Sequence, residues 1–389
     1  MIYCCEINKT DNEHVIINNC LINLLIDTFE NESIHFWIDR KHFSKFPDKP
    51  KQVSIVDVDV INTEIANKWK WFLKLISELW YIIKIFFFAS KGNVRLIYFC
   101  SLSPLGTYAV TLFSYILFKR IRVIITLHSE LGLLKEENKK KIVERVYAKL
   151  LLAAFRKQVR NLKFLILNEE VANSVTNEKF LNERQIISID HPYIFEVIPE
   201  KSPIDGGPIV FGHLGVAKLS KRSHLFFKLA ESMKEEIELG IVKFIVVGRV
   251  LAEMMPFLNN YVEYSTSNKL LDRDEYIKQA RDIDYSVFLY DDKSYGFTSS
   301  GAIMDALAFE KPILSIQLGI FNTIFGKDCP PGYVYNNFEE MNISIRSVID
   351  MHKANYTTFR SCMTTTKERL TVSAQLPSFK KQLRAFLSL

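Results

Sequence analysis

Short runs of apolar residues, rich in β-branched and aromatic side chains, recur along the chain. They alternate with longer segments in which apolar residues return every three to four positions. The first half predicts strands at IYCCEI (2–7), SIHFWID (33–39), VSIVDVDV (53–60), VRLIYFC (94–100), RVIITLH (122–128), LKFLILN (162–168) and QIISID (185–190). Helices are predicted between most of them, at 14–29, 65–90, 105–118, 136–157 and 169–181. Strands that are apolar on both faces and separated by helices predict a parallel sheet covered on both sides. The pattern stops at DHPYIFEVIPEKSPIDGGP (190–208), where four prolines and two adjacent glycines mark a linker. It resumes with strands at 209–215, 242–248, 261–265, 285–291, 312–316 and 332–336. Helices at 221–238, 272–281, 299–310, 337–353, 356–371 and 377–388 complete the second half.

The fold class expected is therefore α/β, with two doubly wound Rossmann-like domains. Residues 1–190 form the N-terminal domain, 191–208 the linker and 209–372 the C-terminal domain, and 373–389 form a helix that packs back on the first domain. Ligands of such sheets bind beyond the carboxyl ends of the strands, so two domains facing one another make a cleft.

One segment needs its own reading. NKWKWFLKLISELWYIIKIFFFASK (67–91) is long enough to span a bilayer, but Lys70, Lys74, Glu78 and Lys84 lie within it. With Ser77 and Tyr81 they recur every three or four residues and so occupy one stripe of an amphipathic helix. Two readings stay open: a helix packed on its own sheet, or a Lys- and Trp-bearing helix making a peripheral membrane contact.

Composition narrows the function classes. A chain of 389 residues suits two domains, and 48% hydrophobic with 24% charged residues describes a folded protein. The net charge of +6 is spread out, with no dense basic block, so nucleic acid is not an expected partner. The six cysteines include no C-x-x-C pair, which predicts a reducing compartment and no disulfide framework. MIYCCEINKTDNEH lacks the pattern of a signal peptide. The histidines form no H-x-x-x-H or H-E-x-x-H motif, so no metal is expected. G-x-G-x-x-G, the P-loop and the G-x-S-x-G elbow are all missing.

Candidate chemistry gathers at predicted strand ends. In YDDKSYGFTSSGAIMDAL, Ser299, Ser300 and Gly301 open a helix whose free N–H groups attract anions, and Asp305 follows one turn later. The same residues could be a plain helix cap and a solvated acid. In FGHLGVAKLSKRSH, Gly215 ends a strand and Lys218, Lys221 and Arg222 follow, suited to neutralising a diphosphate or to a solvated helix start. Arg249 ends the neighbouring strand. His128 ends the strand VIITLH, where it could bind a sugar hydroxyl, assist proton transfer or serve the core. Asn168, Glu169 and Glu170 could simply open the next helix.

Taken together, TLHSELG, FLILNEEVANSV, IDHPYIF, FGHLGVAKLSKRSH and SSGAIMDALAFEKPIL resemble the GT-B glycosyltransferases, in particular the group-4 family of bacterial capsule and lipopolysaccharide sugar transferases. The resemblance implies that Lys221 holds the donor diphosphate and that Ser299, Ser300 and Gly301 form the helix start under the phosphates. It makes Asp305 the second acid of the E-x7-E motif, which binds the ribose, and places His128 near the transferred sugar. The chain departs from the family at Phe297, where the first acid of E-x7-E falls, at Val216 in place of an arginine, and at Glu310 in place of a glycine. The family's Gly-Gly loop is also missing from CCEINKTDNEH.

The implied activity is transfer of a sugar from a UDP- or GDP-linked donor to a glycan or lipid-linked acceptor in surface polysaccharide synthesis. It would be retaining, metal-independent, cytoplasmic and peripheral to the inner membrane face. A non-catalytic nucleotide-sugar-binding protein and a nucleotide-sugar epimerase are the alternatives.

Overall fold

A computed structural model describes residues 1–50, 53–63, 68–135, 141–195, 207–266, 271–291, 297, 300–326 and 329–388. The chain forms two compact units. Met1–Ile194 and Leu370–Leu389 make up the first, with which Phe297 also groups, and Phe195–Gly296 and Ser300–Arg369 make up the second.

The first unit is built on strands β1 (Ile2–Glu6), β2 (Ile34–Ile38), β3 (Val53–Asp57), β4 (Leu96–Ser101), β5 (Arg122–Leu127), β6 (Leu162–Leu167) and β7 (Ile186–Ile189). They form one parallel sheet in the order β3-β2-β1-β4-β5-β6-β7. Its helices are α1 (Val15–Thr28), α2 (Arg40–Ser44), α3 (Lys68–Lys91), α4 (Pro104–Ile116), α5 (Ile142–Arg156) and α6 (Glu169–Asn177). Alternate strand residues feed two cores, because successive side chains point to opposite faces. Cys5, Phe99, Ile125 and Phe164 pack under α3 to α6, while Cys4, Tyr98, Ile124 and Leu165 pack under α1.

The second unit has strands β8 (Ile209–Leu214), β9 (Val242–Arg249), β10 (Val262–Ser265), β11 (Tyr285–Phe288), β12 (Ile313–Ile316) and β13 (Gly332–Tyr335). They are parallel in the order β10-β9-β8-β11-β12-β13. Its helices are α7 (His224–Ser232), α8 (Lys234–Glu238), α9 (Arg273–Arg281), α10 (Gly301–Ala308), α11 (Gly319–Phe325) and α12 (Phe338–Arg369). Helix α13 (Val372–Leu387) returns to the first unit and packs on α1 and β7. It adds Phe379, Leu383 and Phe386 to that core.

The structure corrects two expectations. The two helices expected at 337–353 and 356–371 are one, α12, because no Pro or Gly interrupts it. Its buried residues Phe338, Met341, Ile345, Val348, His352, Tyr356 and Phe359 keep a spacing of three to four throughout. Cys329 and Cys362 form a disulfide with Cα atoms 5.4 Å apart, where none was expected. They lie 33 residues apart in sequence, so no local spacing announces the pair. The remaining cysteines are free and buried.

The structure also decides which face of α3 turns inward, a point the sequence left open: the stripe bearing Lys74 and Glu78 is the inner one. Lys74 and Glu78 face inward, above Ile82, Ile85, Phe86 and Ala89 on the same side. The Glu78 carboxylate accepts bonds from Asn8 Nδ2 (2.6 Å), Ser103 N (2.7 Å) and Ser103 Oγ. Gly106 permits this approach, since a Cβ there would stand 2.8 Å from the Glu78 carboxyl carbon. Among the described residues, no helix is long and apolar enough to cross a membrane.

Candidate functional site

In the second unit, β8 runs into Gly215, whose φ of 85° is a left-handed value that glycine adopts without strain. Gly215 N donates to Val247 O (2.9 Å). The adjoining Gly248 lies so close that a Cβ on it would collide with the Gly215 carbonyl. The two glycines together let the strand ends approach closely. Just beyond, Ser223 Oγ accepts from Lys218 N (3.0 Å) and pairs with His213 Nε2 (2.9 Å), which folds the basic loop back on the strand.

That fold sets Lys221 Nζ beside Gly215, 3.5 Å from where a Cβ would stand. Burial pushes the Lys221 ammonium down to about 8, with repulsion from Lys218 adding to the shift and Asp305 opposing it. Lys218 is lowered by burial as well. Burial and the Lys221 charge hold His213 down at about 3, so it is neutral near pH 7. Gly215, Lys218, Lys221 and Asp305 thus share one electrostatic neighbourhood.

The other candidates have protein partners that the sequence did not reveal. Arg222, in the left-handed region at φ 54°, donates Nη1 to Asp291 Oδ2 (2.9 Å). Asp305 accepts from Arg273 Nη1 (3.1 Å) and Tyr276 Oη (3.1 Å). Ser300 is the N-cap of α10, bonding Tyr290 Oη (2.7 Å) and accepting from Ile303 N. Gly301 is exposed, and a Cβ on it would meet nothing within 4 Å, so no protein atom demands glycine there. The Arg249 carbonyl accepts from Ala217 N (2.8 Å) and so joins β9 to the Gly215 loop. Ser299 lies outside the described residues.

In the first unit, His128 ends β5. Its Nε2 bonds the Cys100 carbonyl (2.8 Å), which makes Nε2 the protonated nitrogen. Burial lowers His128 to about 4, so the ring is neutral near pH 7 and Nδ1 is left as an acceptor. The His128 N–H donates to Glu130 Oε1 (2.8 Å), and burial raises that carboxyl to about 7. His14, at φ 58°, meets the His128 ring edge-on at 4.7 Å.

Beneath them Glu6 accepts from Asn8 N (3.0 Å), Lys9 N (2.9 Å), Asn18 Nδ2 (2.9 Å) and Ser101 Oγ (2.8 Å). The sequence reading missed Glu6, His14, Glu78 and Glu130. Glu6 and Glu130 carried a usable signal, since each ends or follows a parallel strand. Asn168 caps α6 by accepting from Val171 N (3.2 Å). Phe297 is buried, with its ring edge-on to Phe180 and Lys135 Nζ 4.0 Å above it. Among the described residues, no three His, Cys, Asp or Glu side chains form a group that could hold a metal ion.

No family model and no curated protein matches the chain. Solved structures do. Anabaena Alr3699/HepE in complex with UDP aligns over 100% of this chain and 99% of its own, with TM-score 0.65 and 14% identity. A glycosyltransferase from Rickettsia africae ESF-5 aligns over 100% and 97%, with TM-score 0.60 and 12% identity. TarM aligns over 81% of this chain and 58% of its own, with TM-score 0.57 and 14% identity, so the chain spans less than two thirds of TarM. At such identities the likeness carries the fold, and that fold is GT-B.

Proposed function

We propose that the chain is a glycosyltransferase that moves a sugar from a nucleotide-sugar donor to a glycan or lipid-linked acceptor. The observation that carries this reading is Lys221, a cation with a depressed pKa set against the Gly215 backbone and near Asp305. Keeping an ammonium out of water is unfavourable unless an anion meets it there. The diphosphate of a UDP- or GDP-linked sugar is such an anion. As the glycosidic bond breaks, the leaving diphosphate gains charge. Lys221, Lys218 and the first N–H groups of α10 would stabilise it without a metal.

His128, neutral and with Nδ1 able to accept, suits a sugar hydroxyl better than proton donation. Further support comes from the solved structures: one GT-B relative was crystallised with UDP, and TarM with fondaparinux and UDP. Retention of configuration, a role in surface polysaccharide synthesis and a peripheral position on the inner membrane face complete the proposal.

A second reading, a non-catalytic nucleotide-sugar-binding protein, is favoured by the partners of Asp305 and by Phe297 in place of a carboxylate. Thermal shift with UDP, GDP and their sugars tests both. A shift that Lys221→Ala abolishes supports donor binding, and no shift with any nucleotide sinks it. Release of free nucleotide on adding a glycan acceptor separates the transferase from the binder.

A further inference from the structure

The outward stripe of α3 is apolar along its whole length. Trp69, Phe72, Ile76, Trp80, Ile83 and Phe87 follow one another at helical spacing, and all are exposed. Trp69 is 72% and Trp80 61% exposed, values that a water-facing helix seldom shows for its largest side chains. Of the charges on α3, Lys74 and Glu78 are turned inward, Lys70 and Lys84 are half-buried beside the stripe, and Lys91 is exposed at its end. Lys74 lies 4.0 Å from Glu13, and Glu78 is saturated by Asn8 and Ser103.

The face extends beyond one helix. α3 packs beside α4, and α4 beside α5, on the same side of the sheet. The end of α4 exposes Tyr115, Ile116 and Leu117, and the start of α5 exposes Ile142, Val143 and Val146. Trp69 and Ile142 both open their helices at the carboxyl end of the sheet, the end that carries His128.

Charge identifies the occupant. Lys119, Arg120, Arg145 and Lys149 are exposed at these same elements. The acids of the three helices are Glu78, which is buried, and Glu144, which is half-buried and accepts from Lys141 N. An apolar, Trp-bearing stripe flanked by cations, on helices whose described residues include no exposed carboxylate, matches an anionic bilayer. Rings enter the headgroup boundary while Lys and Arg reach the lipid phosphates.

We infer that the outer face of α3, α4 and α5 docks on an anionic lipid bilayer, with α3 lying in the membrane plane. This rests on the surface of the first unit and not on the donor reading.

The test is co-sedimentation of the full chain with vesicles of phosphatidylcholine alone or mixed with phosphatidylglycerol. The chain is expected to bind the anionic vesicles, with a blue shift of Trp emission. The triple variant Trp69→Ser, Phe72→Ser, Trp80→Ser should lose at least about tenfold in binding. Lys119→Glu with Arg120→Glu should lose binding in a salt-dependent way. All these side chains are exposed, so both variants should keep their melting temperature and any UDP-induced shift. Failure to bind either vesicle, or unchanged binding in the triple variant, overturns the inference. So does concentration-dependent self-association that the triple variant abolishes while vesicle binding is missing, since that would assign the face to a second copy.

Discussion

The strand-end loops of the two units share a topology and differ in charge. In the first unit the carboxyl ends of β1, β4 and β5 gather Glu6, Glu130 and, from α3, Glu78, together with a neutral His128. In the second unit, the ends of β8 and β9 gather Lys218, Lys221 and Arg222 around paired glycines. One parallel-sheet plan thus serves opposite electrostatics, because the sheet fixes only where the loops lie. Function is carried by the loops. The second unit's loops are cationic, while those of the first pair carboxylates with a neutral imidazole, so the proposed donor anion is matched to the second unit and not to the first.

Glu6→Ala should have the largest effect. It strands two backbone N–H groups and the Asn18 and Ser101 side chains, and should cost about 3–5 kcal/mol in chemical denaturation. A loss below about 1 kcal/mol would deny the acids of the first unit their structural part. Next comes Lys221→Ala, expected to weaken UDP binding by about 2–3 kcal/mol in calorimetry while leaving the free protein as stable or more so. With Lys221 titrating near 8, UDP affinity should also fall as pH rises above that value, and Lys221→Arg should remove the fall.

The third prediction concerns Glu130, whose carboxyl is raised to about 7 from an ordinary value of 4.5. A raised carboxyl favours the folded state below the ordinary value, and that stability is lost as pH climbs toward 7. Glu130→Gln should therefore match the parent at acid pH and exceed it by about 1–2 kcal/mol at pH 8, measured as denaturation midpoints. A variant less stable at both pH values would contradict the burial argument. The smallest effect is expected from Glu310→Gly. Glu310 stands at φ 51°, which explains a glycine preference there, and its carboxylate bridges Arg360 and Lys367 at 2.9 Å each. Relief of strain and loss of two ion pairs should cancel within about 1 kcal/mol in melting experiments.

The parallel sheets were legible because β-branched runs alternating with helices admit few other arrangements, and every strand expected is present. The Lys221 loop was legible as a basic strand–loop–helix unit. What stayed hidden depends on contacts between distant residues. Arg273 and Tyr276 reach Asp305 from α9, and Asp291 reaches Arg222 across the turn of β11. In α3 the periodicity located both stripes correctly but could not say which one turns inward. That choice is made by Asn8, Ser103 and Gly106, whose loops offer Glu78 a set of donors and the space to reach them.

The return of α13 to the first unit has a consequence for synthesis. Phe379, Leu383 and Phe386 complete a core that otherwise comes from α1 and the first sheet. On the ribosome, the first unit to be made is thus the last to be finished. Its early strands wait for residues 372–387 while the second unit already has its whole chain. The waiting unit leaves part of α1 and β7 uncovered, so stalled or trimmed chains should be captured by chaperones through the first unit.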